Sequence, residues 1–138
     1  MLELIPLCTA VVDVAPPHTV GGSRSIGEIR SVQLEGERMK ASLAGAAAAD
    51  WMAINGAIAA VDVRMTLLTD DGALIYVQYG GRLKLADRAN GLNAYVAPVF
   101  ETGDERYAWL NAIQAVGKGK LIPGVDGTRI EYEFYEVR

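Results

Sequence analysis

The side chains that most often carry metal or nucleophile chemistry are nearly missing from this sequence. Its 138 residues include one cysteine, Cys8, and one histidine, His18. A single cysteine excludes an internal disulfide. One cysteine and one histidine cannot furnish a typical zinc site, and neither CxxC nor HExxH occurs. GxGxxG and GxxxxGK are also absent, which removes the usual phosphate cradles. A Ser-His-acid triad would have to recruit His18 from a Pro/Gly loop, where a solvated loop residue is the simpler reading. No metal or organic cofactor is expected.

Positive charge is scarce as well. Thirteen Lys and Arg face seventeen Asp and Glu, for a net charge of −4. Phosphate neutralisation needs a basic face, so a nucleic-acid partner is not expected, nor is an anionic membrane surface. No apolar run approaches the ~18 residues that a membrane-spanning helix needs. No basic stretch precedes the first apolar segment, which Glu3, Pro6 and Asp13 interrupt, so a secretory leader is not expected. Cys8 sits in LIPLCTAVV and reads as a small buried hydrophobe. A reducing cytoplasm is the expected compartment.

What remains is an aliphatic chain with the pattern of strands. Hydrophobic residues make up 51% and charged residues 22%, a globular composition. Residues 1–138 read as one domain, without repeat or linker. Leu2–Val14 reads as a long strand and 15–27 as a Pro/Gly/Ser loop. Ile29–Leu34 reads as a strand, with Gly36 a turn or bulge. Lys40–Ala49 reads as a strand running into a loop. Ala57–Thr69 and Ala73–Tyr79 flank TDDG, and Asp-Gly between two β-rich runs signals a hairpin. Asp70-Asp71 then reads as turn chemistry. Leu92–Phe100 is a further strand, and Trp109–Val116 a strand or a short helix. In Thr128–Val137, Ile130, Tyr132 and Phe134 alternate with Glu131, Glu133 and Tyr135, as in a half-buried strand. Many short strands without a useful amphipathic helix predict an antiparallel sandwich or barrel.

Without metal ligands or nucleotide cradles, the chemistry available is proton transfer by Asp, Glu and Tyr, with Arg holding developing negative charge. FETGDERYAWLN (Phe100–Asn111) is the densest cluster of such groups. It reads either as a turn that closes one end of the fold or as a ligand rim built from Glu101, Tyr107, Trp109 and Asn111. Asp50-Trp51 reads either as a general base beside an indole or as a turn cap and plug. Arg64 and Arg30 lie mid-strand, where each either holds a ligand oxygen or pairs with an acid; Asp62 shares a face with Arg64. Tyr79 and Tyr95 stand near strand ends and can line a pocket. Tyr76, Tyr132 and Tyr135 read as packing.

FETGDERYAWLN, ADW (Ala49–Trp51), DVRMTLLTDDGALIYVQYGG (Asp62–Gly81) and the terminal YEFYEVR, in that order, resemble the DUF3237 (UPF0311) family. GEIR (Gly27–Arg30) and LEG (Leu34–Gly36) fit the same pattern. The family often carries Gly-Gly-Ala-Asp-Trp after a proline; here the stretch is AGAAAADW, which implies a less bent backbone before Asp50. The resemblance implies a closed antiparallel β-barrel of the calycin or allene-oxide-cyclase kind with an internal cavity.

The leading expectation is therefore a cofactor-independent isomerase, cyclase, lyase or hydratase acting on a small aromatic or polyketide-like molecule. Asp50 and Glu101 are its candidate proton carriers and Arg64 its candidate oxyanion holder, so these three form the catalytic set. Arg30, Trp51, Tyr79, Tyr95, Tyr107, Trp109 and Asn111 are the candidate ligand contacts. The rivals are a non-catalytic barrel that binds a small hydrophobic ligand, and a structural subunit. A homodimer is plausible for a small barrel this rich in apolar residues.

Overall fold

The TDDG segment forms the hairpin turn its sequence demands. Gly72 takes φ +94°, which costs glycine little. Thr69 closes the loop: its carbonyl accepts from Gly72 N–H, and its Oγ1 accepts from Ala73 N–H at 2.7 Å. The flanking strands, β6 (Ile58–Thr69) and β7 (Leu74–Lys84), stay in register from Ile58↔Lys84 to Leu68↔Leu74. The second arm thus runs past Tyr79, across Gly80-Gly81.

A computed structural model describes the chain throughout, save the side chains of residues 88–90. The other strands are β1 (Leu4–Val14), β2 (His18–Gly21), β3 (Arg24–Glu35), β4 (Ala41–Leu43), β5 (Ala49–Asn55), β8 (Leu92–Val96), β9 (Val99–Glu101), β10 (Gln114–Gly124) and β11 (Gly127–Val137). All eleven join one antiparallel sheet. Its pairings run β6–β5–β3–β1–β11–β10–β8–β7 and return to β6, so the sheet curls into a ring. A ring leaves few free edges and separates an inside from an outside.

The period of two decides which side chains go in. On β6, Val61, Val63, Met65 and Leu67 are buried, while Asp62, Arg64 and Thr66 alternate with them on the other face. On β11, Tyr132, Phe134 and Glu136 are buried between more exposed neighbours. Ala10 and Val12 of β1, Val32 and Leu34 of β3, and Val77 and Tyr79 of β7 complete the inner wall.

Four local readings change. The 15–27 segment is no plain loop: His18 lies in β2, which pairs with the start of β3 around Gly21-Gly22, both at positive φ. Glu105–Ala112 is a 3-10 helix and the strand begins only at Gln114, so Trp109–Val116 contains both alternatives. Gln114–Gly124 was obscured as a strand by Gly117 and Gly119, which have low strand preference. The backbone before Asp50 does bend, at Gly45, which takes φ +69°.

Candidate functional site

The two ends of the ring differ. At one end, here the base, the interior is filled and capped. Leu67, Ile75 and Leu110 are almost wholly buried. The cavity that reaches from Leu67 and Phe100 up to Val12, Tyr79 and Phe134 measures only about 20 Å³, room for roughly one water. At the other end, the mouth, Val14, Met52, Ile54, Leu121 and Ile130 are only half-buried although they pack on the core. Together these side chains form an apolar rim.

FETGDERYAWLN builds the cap over the base. Asn111 clasps Thr102 twice: its Oδ1 accepts from Thr102 N–H at 2.8 Å, and its Nδ2 donates to the Thr102 carbonyl at 2.9 Å. Asp104 caps the 3-10 helix by accepting from Arg106 N–H, and pairs with the Arg106 guanidinium at 2.9 Å. Tyr107 donates its phenol hydrogen to Asp71 Oδ1 at 2.8 Å, and Arg106 donates to the Asp71 carbonyl at 3.0 Å. These bonds tie the cap to the TDDG turn. They also hold the Asp71 carboxyl below its usual range, the hydrogen bonds from Thr69 and Tyr107 leading. Trp109 lies beneath Arg38, whose guanidinium carbon is 4.8 Å from the ring centroid. Glu101 is exposed on β9, whose buried side chain is Phe100. Much of the polar crowding of this stretch closes the base, while Glu101, Thr102 and Asn111 also border an open surface hollow with Tyr76 and Gln78.

The other arginine candidates also face outward. Arg30 forks onto Asp13 with two 3.0 Å bonds and donates to the Asp126 carbonyl at 2.7 Å, bracing β3 against β1 and the β10–β11 turn. Arg64 stands over the Trp51 ring at 4.9 Å, with Asp62 at 3.8 Å. Tyr95 is 59% exposed on the outside of β8. Asp50, Arg64 and Glu101 are thus not brought together, and only Asp50 of the three points inward.

Asp50 pairs across to Val63 on one side and Gly27 on the other, and shares their inner face. Its Oδ1 accepts from Asp62 N–H at 2.9 Å, replacing a ladder bond where β5 and β6 part. Burial pushes its carboxyl from 3.8 up to about 6; the Asp62 N–H works against this and the Asp62 charge adds to it. One strand further along the same face, opposite Val63, stands Tyr79. Tyr79 donates its phenol hydrogen to the Tyr132 oxygen at 3.3 Å, which leaves Tyr132's own hydrogen for another acceptor. Burial raises both phenols, Tyr132 to about 12, and the charge of Asp50 raises each further.

Tyr132 is held tightly. Its ring stacks on Phe134 at 5.0 Å and 16°, and Tyr79 meets it edge-on at 5.8 Å. On β10, Gly119 and Gly117 lie opposite Tyr132 and Phe134 and leave room for the two rings. Tyr132 was read as packing in sequence. The overlooked signal is a Gly-x-Gly strand facing a Tyr-x-Phe strand, visible only once β10 and β11 are paired. Among the described residues no group of three or more His, Cys, Asp or Glu side chains converges as metal ligands would. No helix among them is long and apolar enough to cross a membrane.

A family model described as a protein of unknown function (DUF3237) matches residues 2–137. Among solved structures, the chain is similar to a beta-barrel like protein from Acinetobacter baumannii AYE, with 30% identity and a TM-score of 0.85, covering 100% of this chain and 97% of that one. A protein of unknown function from Clostridium acetobutylicum ATCC 824 shares 19% identity over the full length of both chains, with a TM-score of 0.89. An enzyme from Penicillium herquei shares 20% identity, with a TM-score of 0.71 over 100% of this chain and 94% of that one. A search of curated proteins finds no match.

Proposed function

Because the chain belongs to the DUF3237 family, whose description carries no activity, we propose a function from the interior alone: acid–base catalysis, without a cofactor, on a small molecule held in the mouth half of the ring. The observation that carries this reading is the inward Asp50 carboxylate facing the same interior as the Tyr79–Tyr132 pair. A carboxyl with a pKa near 6 is ionised at neutral pH yet still a competent base. It would take a proton from carbon or oxygen of the substrate. The free Tyr132 hydrogen would meet the oxygen on which negative charge develops. Return of the proton from Asp50 to another atom completes an isomerisation, cyclisation or elimination with no net redox change.

The fold reading that accompanies this proposal is a closed barrel of the calycin or allene-oxide-cyclase kind. Ring size supports it, since roughly eight strands enclose space for packed side chains or one small ligand. The base half is filled, so this proposal puts that ligand in the mouth half. The apolar rim and the Tyr79, Tyr132 and Phe134 rings favour a small aromatic or polyketide-like substrate. One domain, a cytoplasmic location and a homodimer complete the proposal.

The test is native mass spectrometry of the protein with a library of aromatic ketones and enones, followed by denaturation and chromatography of what was bound. A chemically changed ligand, lost in Asp50→Asn, supports the enzyme. A ligand returned unchanged by the wild-type protein favours the rival, a non-catalytic binding barrel. Undiminished conversion by Asp50→Asn would sink the mechanism.

A further inference from the structure

The described cations are all committed outside the ring or, for Arg38, at its base. Arg24 donates to the Trp51 carbonyl, Arg30 pairs with Asp13, and Arg38 with Glu136. Arg64 covers Trp51, Arg82 donates to the Gly81 carbonyl, and Arg129 pairs with Glu131. Arg106 and Arg138 are paired with Asp104 and Glu136. Lys40, Lys84, Lys118 and Lys120 are exposed. The polar groups that the mouth half turns inward are Asp50, Tyr79, Tyr132, Ser25 and, at the rim opposite Val14, Thr128. All but Asp50 are hydrogen-bond groups without charge, and Asp50 is an acid.

An anionic ligand placed here would lose its water shell in exchange for an apolar rim and a carboxylate of its own sign. Burying a charge without a partner is expensive. A neutral carbonyl or hydroxyl escapes that penalty, because the Tyr132 hydrogen satisfies an oxygen and Asp50 accepts a hydrogen. We infer that the substrate of this site is an uncharged, planar carbonyl or phenolic compound, and that Asp50 itself rejects carboxylic acids of the same shape. This inference rests on the reading of Asp50 as an interior group; it adds which ligands that group admits.

Two near-isosteric probes test it: 2-acetylnaphthalene, which is neutral, and 2-naphthoate, which is anionic at pH 7.5. Calorimetric titration should show the ketone binding wild-type protein at least about ten-fold more tightly than the carboxylate, a lower bound given what an unpaired buried charge costs. Asp50→Asn should narrow the gap by raising naphthoate affinity relative to ketone affinity. Naphthoate binding as tightly as the ketone, or a gap unchanged in Asp50→Asn, would overturn the inference and leave the catalytic reading to its own turnover test. If neither probe binds, the inference fails together with the ligand-accepting mouth on which it rests.

Discussion

The ring of Tyr132 occupies the space that a side chain at position 119 would need: a Cβ on Gly119 would collide with Tyr132 Cε1. Tyr132 Cδ1 and Ile130 Cγ2 would follow at 2.8 and 2.9 Å. The ring is already fixed by its stack on Phe134 and by Tyr79, so it has nowhere to retreat.

Gly119→Ala should therefore cost about 1–3 kcal/mol of stability, the usual penalty for overpacking. It should also displace the Tyr132 hydroxyl and reduce turnover. Urea denaturation measures the first effect. Turnover intact despite the stability loss would show that the position of Tyr132 does not matter to chemistry.

Asp50 should make stability depend on pH in the direction opposite to most acids. Its folded-state value of about 6 lies above the ordinary 3.8, so the folded protein retains a proton that the unfolded chain releases. Stability thus falls as pH rises from about 4 to about 6, by up to about 3 kcal/mol, and stays lower above that window. Asp71, Asp104 and Glu136 are held below their usual ranges, so their contributions are lost as pH falls. Comparing wild type with Asp50→Asn cancels these. The variant should gain on wild type across pH 4–6, while turnover, which needs the ionised acid, rises through pH 6 only in wild type.

The cap over the base should be a stability element without a catalytic part. Asn111→Ala removes both hydrogen bonds to Thr102, and Tyr107→Phe removes the phenol bond to Asp71. Each should cost about 0.5–2 kcal/mol and leave turnover of the remaining folded protein unchanged. Thermal melting combined with activity per folded molecule checks this; a large fall in the latter would return the cap to the site.

Arg64→Ala and Glu101→Gln should be nearly silent in turnover. Both side chains stand outside the ring, Arg64 on Trp51 and Glu101 exposed on β9. A loss beyond about three-fold in either, less than 1 kcal/mol of barrier, would contradict the interior site.

Cys8 should resist alkylation in the native state. Burial raises its thiol to about 12, so little thiolate exists near neutral pH, and the group is buried as well. Labelling with iodoacetamide should follow unfolding; rapid native labelling would show that the start of β1 opens.

Much of this architecture follows from the sequence itself. TDDG demanded its hairpin because Gly72 accepts a positive φ where other residues resist it. The alternations on β6 and β11 marked an inner and an outer face, because successive strand side chains point oppositely. The ordered motifs identified the family over nearly the whole chain. Local pattern could not say which of two partly apolar faces looks inward, and that choice separates Asp50 from Arg64, which lie on neighbouring strands but opposite faces. Nor could it reveal that Tyr107 bonds to Asp71, 36 residues away, or that Tyr79 meets Tyr132 across 53. Those contacts exist only because the sheet closes on itself and brings distant strands into register. Closure also made FETGDERYAWLN a cap over one end of the ring and brought Asp50, Tyr79 and Tyr132 to one inner face.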